Sequence, residues 1–402
     1  MTRPGTLCIG ALIVCGGLTG ASPVICALPA WRVPGVQAEA ASRPDVDALI
    51  DQLGSFDVDR RISASRAVRR APGTVALPAL VDAAAGHADG FVRARALVLL
   101  SGYDDPRVAD QMEQALADPN DRLRAIAYQY FERQPEPRLA AALVNALEAE
   151  TSELARPALL RALASHGSHA RVQQALLREL ERGAGTARAG LIDALGEHKA
   201  AYAAGALGAI AAGHGPDRAH ALLALGRIGG QAAAALVGDA ARDGAADVSL
   251  AAAAAGCLLG TGCDSHRRRL VQALTTRDRL VGFEQLLDHA AAGLGAMAAQ
   301  GDDGAGRALI DAGLAGDQAT RAAAASALAA LAARMPDRAV TILLGHPDRR
   351  QAIDLVREGF EIRHEAFEQE QFGARLRAAY FAEPEQTPRR DLLQALVNEM
   401  EF

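Results

Sequence analysis

Two cysteines stand close together in this 402-residue chain, within the segment GCLLGTGC. Cys257 and Cys263 could form a disulfide, because an even cysteine pair in an oxidising compartment tends to be oxidised. Closing so short a loop would stabilise the fold by roughly 2 kcal/mol. Cys257 also occupies a predicted helical position, so a buried free thiol is the alternative. The spacing is neither Cys-x-x-Cys nor Cys-x-x-Cys-His, which argues against a thioredoxin-type site or haem attachment.

One acidic cluster has the residue types that bind transition metals. Glu361, His364, Glu365 and Glu368 are predicted to share one helical face in the segment EIRHEAFE. Imidazole and carboxylate groups can ligate a metal. The second histidine of His-Glu-x-x-His is absent, however, and a solvated acidic face is the simpler interpretation. We therefore predict no metal site and no cofactor.

Sequence motifs of the common catalytic centres are also missing. There is no Gly-x-Ser-x-Gly and no glycine-rich phosphate loop after a strand. The basic run His266–Arg269 is short and adjoins Asp264, which is typical of a helix surface. The formal net charge of −6 has the wrong sign for a nucleic-acid-binding surface. We predict no catalytic residues and no nucleic-acid partner. Two histidine pairs in predicted loops are weaker candidates still: His166 with His169, and His214 with His220.

An arginine recurs about every thirty-one residues and identifies the elements that carry these candidates. Apolar residues follow each arginine at helical offsets, as Ala127, Tyr128 and Phe131 follow Arg124. Asp-Pro and glycine-rich joints separate these helices from others of similar length. A fixed period of this size predicts stacked pairs of antiparallel helices. The recurring positions are Arg61, Arg93, Arg124, Arg156, Arg188, Arg218, Arg279, Arg321 and Arg349, with Ser249 standing in place of an arginine.

The pattern Asp118-Pro119 followed by Leu123-Arg124 resembles HEAT repeats, in particular the short bacterial variety known from phycobilisome lyases. The resemblance covers about residues 45 to 360. It implies an all-α fold, an α-solenoid of about ten helix pairs forming a right-handed superhelix. It also implies a structural ladder in which arginines bridge to acids across the repeat turns. By this resemblance the ladder contains Arg93, Asp118, Arg124, Arg156, Arg188, Arg218 and Arg321.

The repetition fails at two further places. The interval from Arg279 to Arg321 is 42 residues, and the surplus around Asp288–Asp303 predicts a lengthened helix or a loop that projects. Five of the nine phenylalanines lie in the last 43 residues, which predicts a helical cap over 361–402, with an aromatic docking surface as the alternative. These phenylalanines are Phe360, Phe367, Phe372, Phe381 and Phe402.

The first 40 residues are predicted to be a signal peptide or an N-terminal membrane anchor, ahead of a repeat domain over 41–360. The stretch Leu7–Ala21 is apolar and follows Arg3. Small residues allow cleavage after Ala21 or after Ala40. Cleavage after Ala40 would remove two arginines and one glutamate and change the charge from −6 to −7. An uncleaved helix over Leu7–Trp31 is the alternative. No cysteine there stands in a lipobox.

The sequence favours a non-enzymatic scaffold or adaptor of the cell envelope. We expect a periplasmic or secreted chain, or one anchored to the cytoplasmic membrane, with the membrane contacted only through that anchor. A curved stack of helix pairs presents a concave surface, where we expect a protein or peptide partner. A lyase-like enzyme or enzyme-assembly subunit is the alternative suggested by the family relatives, and a purely structural envelope component is a third.

Overall fold

The helices begin where the recurring arginines predict. The computed structural model describes residues 42–183, 185–260, 262–276, 283–364 and 366–400. Within these ranges all regular elements are helices and none is a strand, which confirms the all-α prediction. The predicted export segment 1–40, Arg279, Glu365 and Phe402 lie outside the described residues. No helix in the described part of the chain is both long and apolar enough to cross a membrane.

The described residues form 22 α-helices, joined mostly by short turns. The first half of the series is α1 (Arg43–Gln52), α2 (Val58–Arg70), α3 (Gly73–Gly86), α4 (Gly90–Leu100), α5 (Pro106–Ala115), α6 (Asp121–Arg133), α7 (Ala140–Ala149), α8 (Ala155–Ser165), α9 (Ala170–Arg182), α10 (Gly185–Glu197) and α11 (Ala204–Ala212). The second half is α12 (Arg218–Ile228), α13 (Gln231–Ala240), α14 (Ala246–Leu258), α15 (Cys263–Thr275), α16 (Phe283–Ala299), α17 (Asp303–Ala315), α18 (Gln318–Arg334), α19 (Pro336–Leu344), α20 (Arg349–Arg363), α21 (Ala366–Ala382) and α22 (Pro388–Met400).

Polar side chains start several of the helices that carry the repeat arginines. Asp89 accepts a hydrogen bond from the backbone N–H of Phe91 at the start of α4, and Asn120 accepts one from Arg122 at the start of α6. Such caps satisfy N–H groups that have no partner within the helix. Each repeat arginine of the described residues falls in the first turn of an even-numbered helix.

The even-numbered helices from α4 to α20 pack side by side in one layer, here called the arginine layer. The odd-numbered helices form a second, more widely spaced layer. Glycine allows the close approach within the arginine layer: a Cβ on Gly226 of α12 would lie 2.6 Å from the Cα of Ala255 in α14. Such a closer spacing is typical of the layer on the inner, concave side of a helical-repeat stack, and we assign the arginine layer to that side.

One helix of the arginine layer offers little surface to a partner. Ten consecutive residues of α14, Val248–Cys257, are buried, so all sides of this helix are covered. The extra residues around Asp288–Asp303 do not project from the stack. They lengthen α16, whose Leu287, Ala290 and Leu294 are buried, because the apolar residues continue the helical spacing into the core.

Helix α21 returns to the beginning of the stack, whereas α22 packs against α19 and α20. Helix α21 contacts α4 as well as α18, and it packs against α22. Phe367 of α21 belongs to a core that extends from Val46 of α1 to Ala255 of α14. Phe372 stacks against Phe360 of α20 with ring centroids 5.4 Å apart. Phe381 is exposed. The aromatic residues of the C-terminus thus divide between internal packing and the surface.

Candidate functional site

The repeat arginines join one repeat to the next. The guanidinium of Arg124 contacts the carboxylate of Glu150 through two hydrogen bonds of 2.8 and 2.9 Å. It also donates to the carbonyl oxygen of Asp118 at 2.8 Å. Hydrogen bonding to Arg124 holds the pKa of Glu150 below its usual range, even though burial opposes this. Because Glu150 precedes α8, this planar fork sets the position of α8 against α6.

The same link recurs along the arginine layer. The carboxylate of Asp118 binds Arg93 of the preceding repeat, whereas Arg124 binds only its backbone carbonyl. The resemblance places Asp118 and Arg124 in one ladder, and the structure shows which atoms each contributes. Ser249 Oγ donates instead to the carbonyl of Ala246 in its own helix at 3.0 Å. The other pairs are Arg156–Glu179, Arg188–Asp217, Arg218–Asp243 and Arg321–Glu358, at 2.6, 3.4, 2.8 and 2.7 Å.

Further charged residues gather where helices of the arginine layer end, in what we call the central ion-pair cluster. Glu132 accepts two hydrogen bonds from Arg161, at 2.8 and 3.1 Å. Glu197 contacts Arg161 at 2.6 Å and Arg334 at 2.5 Å. His198 Nε2 lies 3.3 Å from Glu132. Helix C-termini carry partial negative charge, so arginines are favourable there and the carboxylates share them.

Burial makes this cluster strongly coupled. Burial alone would raise the pKa of Glu132, but the hydrogen bond with His198 and the charge of Arg161 outweigh it and lower that pKa. Burial likewise opposes the charge of Arg161, while Glu197 and Glu132 raise its pKa above the usual value. Glu132 and Arg161 are therefore ionised partners of one another, whereas burial raises the pKa of Glu197. Removing one would leave a buried charge uncompensated.

Helix α21 is held to the first repeats by a second buried carboxylate. Glu370 contacts Arg69 at the end of α2 at 2.6 Å and Arg377 of its own helix at 2.9 Å. Its side chain is only 2% exposed. Next to it, Gln371 donates to the carbonyl of Ser101 at the end of α4, at 2.6 Å.

Glu368 of α21 makes a similar bridge on the other side. It contacts Arg133 of α6 at 3.2 Å and Arg363 of α20 at 3.1 Å. Arg133 also donates to the carbonyl of Ala333 near the end of α18, at 2.7 Å. Helix α21 thus connects α2, α4 and α6 with α18 and α20, which the repeat period alone does not indicate.

The two cysteines and the predicted acidic face have different outcomes. A disulfide joins Cys257, near the end of α14, to Cys263 at the start of α15, with Cα atoms 4.5 Å apart.

The expectation that Glu361 and Glu368 share one helical face is wrong. Helix α20 ends at Arg363, His364 adopts a left-handed φ of +54°, and Glu368 belongs to the next helix. Among the described residues, no group of three or more His, Cys, Asp or Glu side chains could hold a metal.

The predicted histidine pairs make separate contacts. His166 is buried and its ring nitrogens contact the carbonyls of Ala162 and Glu136 at 2.8 and 3.1 Å. His220 Nδ1 lies 3.1 Å from both carboxylate oxygens of Asp193, and this hydrogen bond raises the His220 pKa. The His220 ring also meets that of His289 edge to face at 5.3 Å, a contact between α12 and α16 that the sequence did not indicate.

Exposed apolar side chains lie along the turns that precede α2 and the first helices of the arginine layer. Phe56, Phe91 and Leu154 are 103%, 36% and 52% exposed. They precede or begin α2, α4 and α8. We call these turns, over 51–60, 87–91, 118–122 and 150–154, the repeat-turn edge. Large apolar side chains grouped on a surface are typical of an interaction site.

Contacts between successive turns make this edge continuous. Asp51 lies 3.1 Å from Nε2 of His87 in the next turn. Ser152 donates to Asp121 across the following boundary at 2.6 Å. The guanidinium of Arg122 lies over the ring of Phe91 at 5.7 Å. Exposed acids outnumber exposed arginines on the edge: Asp51, Asp57, Asp59, Asp89 and Glu153 against Arg60 and Arg122.

A sequence signal for this surface stands beside the repeat arginines. Phe91, Arg122 and Leu154 each stand two residues before a repeat arginine. At that offset the chain is entering or about to enter the helix, and the side chain faces away from the stack. Sequence reasoning treated the arginines as register positions and missed the exposed positions beside them.

Residues 46–132 match the HEAT repeat family. Among solved structures, the chain is similar to human deoxyhypusine hydroxylase in complex with glycerol, at 18% identity over 63% of this chain and 94% of that one, with a TM-score of 0.30. It is similar to importin beta at 14% identity over 89% and 61% of the two chains, with a TM-score of 0.35. The complex of CpcE and CpcF of phycocyanin lyase from Nostoc sp. gives 19% identity, 83% and 98% coverage and a TM-score of 0.26. A search of curated proteins finds no match.

Proposed function

We propose that this HEAT-repeat chain is a non-catalytic scaffold that binds a protein partner in the cell envelope. The observation that carries the proposal is the repeat-turn edge, where Phe56, Phe91 and Leu154 stay exposed on a continuous surface. Exposure of apolar surface to water is unfavourable, and burying it against a partner recovers about 25 cal/mol for each Å² removed from water. Aromatic side chains are enriched among the residues that dominate protein interfaces.

The charge of the edge indicates what kind of partner fits. Its exposed side chains include five acids and two arginines. A basic segment with apolar anchors would complement both features, because opposite charges guide the approach while the aromatic residues supply the buried area. The edge replaces the concave surface as our proposed docking site, since α14 is buried on all sides and α21 lies against the first repeats.

The envelope location rests on the residues of the N-terminus and on the cysteines. An apolar segment follows Arg3 and ends in small residues, as a signal peptide does. The disulfide between Cys257 and Cys263 is consistent with an oxidising compartment. Cell fractionation with a C-terminal tag tests this part. Recovery of the chain only in the cytoplasmic fraction, with both thiols reactive, would show the location to be wrong.

The binding surface is tested by photo-crosslinking in the native cell. A photoreactive amino acid replaces Phe91 or, in the matched control, Phe381, which is 44% exposed on α21. We expect a discrete protein adduct from position 91 and none of the same mass from position 381. Phe56→Glu should abolish that adduct without changing the melting temperature, because the side chain is fully exposed and contributes no packing.

Two results would overturn the proposal. The same adduct from both positions would mean that capture is non-specific. An adduct obtained only from the exposed position Glu284 would place the partner at α16, away from the first repeats.

A further inference from the structure

A cavity of about 380 Å³ opens where the ends of α6 and α18 meet the start of α19 and one side of α21. Four of its nine lining residues are arginines. The acid among them, Asp337, has a side chain that is 90% exposed and contacts Arg389 at 3.2 Å. The lining is therefore cationic. The arginines are Arg133, Arg334, Arg338 and Arg375.

Ion pairs behind the cavity do not neutralise this charge, because the carboxylates there are shared. Glu197 serves Arg161 and Arg334, and lies 3.9 Å from Arg227. In the same way, Glu368 of α21 contacts both Arg133 and Arg363. The arginines of the cavity and its ion pairs number seven and the carboxylates five: Arg133, Arg161, Arg227, Arg334, Arg338, Arg363 and Arg375 against Glu132, Glu197, Glu368, Asp303 and Asp337. The described residues around the cavity thus carry a surplus of positive charge.

The backbone near the cavity also accommodates an anion. The C-terminus of α18 would repel negative charge through its free carbonyl groups. Arg133 covers one of these, the carbonyl of Ala333, at 2.7 Å. Gln371 and Arg375 stand one helical turn apart on α21, so both face the same opening. Arginines from α6, α18, α19 and α21 consequently line one space.

We propose that this cavity binds a small multivalent oxyanion, inorganic phosphate or a soluble phosphomonoester. Guanidinium groups form planar, charge-assisted pairs of hydrogen bonds with phosphate oxygens, which a point charge does not match. A volume of about 380 Å³ lies within the range of small-molecule pockets. The bound anion would stabilise the junction of α6, α18 and α21. The proposal is independent of partner binding at the repeat-turn edge, which is formed by other turns.

Isothermal titration calorimetry of the full chain with sodium phosphate tests the site. Sodium chloride at equal ionic strength is the reference, because it screens charge without forming the paired hydrogen bonds. Phosphoserine is the phosphomonoester probe. Arg375→Gln is the informative variant, since Arg375 is exposed and lines the cavity. The matched control is Arg242→Gln. The side chain of Arg242 is 74% exposed, pairs with Asp239 and does not line the cavity.

We expect phosphate and phosphoserine to bind with similar affinity. Arg375→Gln should weaken both by about tenfold or more, as loss of a charge-assisted hydrogen bond does. Arg242→Gln should leave the affinity unchanged. Absence of phosphate binding at millimolar concentration would overturn the proposal, as would equal affinity in the wild type and Arg375→Gln. Recruitment to vesicles containing phosphatidic acid without any response to soluble phosphate would show that the ligand is a lipid headgroup instead.

Discussion

Replacing Glu370 by glutamine should detach α21 from the first repeats. The substitution keeps the shape of the side chain and removes its charge from between Arg69 and Arg377. Both arginines keep their charge and lose their shared partner. The side chain of Arg69 is 12% exposed and that of Arg377 21% exposed, so water reaches them only in part.

The expected loss of stability follows from that burial. Breaking a buried ion pair by removing one partner costs about 3–5 kcal/mol. Partial access of water to both arginines places Glu370→Gln at the lower end, about 3 kcal/mol. The matched control is Glu361→Gln, whose carboxylate is 48% exposed and contacts Arg357 one turn earlier in α20. Such exposed pairs contribute about 0.5 kcal/mol or less.

Urea denaturation followed by circular dichroism measures both variants, and hydrogen exchange reports the opening of α21 directly. The pH dependence of the free energy of unfolding supplies a second test. Burial opposes ionisation of Glu370, yet the charges of Arg69 and Arg377 outweigh it and lower its folded pKa. Its stabilisation is therefore complete above the unfolded pKa of about 4.3 and is lost as pH falls through the lower folded value. The difference between wild type and Glu370→Gln should shrink in that acid range.

Equal stability of Glu370→Gln and Glu361→Gln at neutral pH would refute the reasoning. So would hydrogen exchange in α21 that is unchanged by Glu370→Gln. Either result would mean that the apolar contacts of α21, such as that of Phe367, hold it in place without the ion pairs.

Other changes test the packing, the crosslink and a titrating pair. Gly359→Ala should cost about 3 kcal/mol in urea melts, because the new Cβ would lie 2.0 Å from a backbone oxygen of α18, whereas Gly238→Ala meets no atom within 4 Å and should be neutral or slightly stabilising. Cys257→Ser should lower stability by about 2 kcal/mol, and wild type under reductant should lose the same amount; an unaltered melt would mean that the link to Cys263 adds nothing. His220→Asn should cost more at pH 6 than at pH 9, because the raised pKa of His220 gives stabilisation that is complete below about pH 6.5 and is lost as pH rises through the folded value; a constant difference in thermal melts across this range would contradict it.

The repeat layout could be predicted from the sequence because its cause is local. An arginine such as Arg124 and the apolar residues at +3, +4 and +7 share one turn-to-turn register, and that register is printed in the chain. The helix break at His364 was not predictable in this way. Glu361 and Glu368 continue the spacing across it, and only the backbone at His364 shows that the helix has ended.

The central ion-pair cluster depends on distant contacts, which periodicity does not contain. Glu132 and Arg334 are separated by some 200 residues of chain and still approach to 3.8 Å. The residue types of Glu132 and Arg334 gave a weak indication of the cluster, since both are charged residues at the ends of helices with many buried apolar residues. Which arginine meets which carboxylate depends on how far the stack curves, and that is set by many small contacts between alanine and glycine. The cavity beside the cluster was unpredictable for the same reason.

The contacts of α21 bear on how the array unfolds. In a simple repeat array each unit contacts only its neighbours, so the ends fray first and stability is a sum of adjacent terms. Here Glu370 ties α21 to Arg69 in α2, and Glu368 ties it to Arg133 in α6. The terminal repeats are thus supported by each other as well as by their neighbours. Loss of either glutamate should therefore loosen both ends at once, although the two lie far apart in sequence.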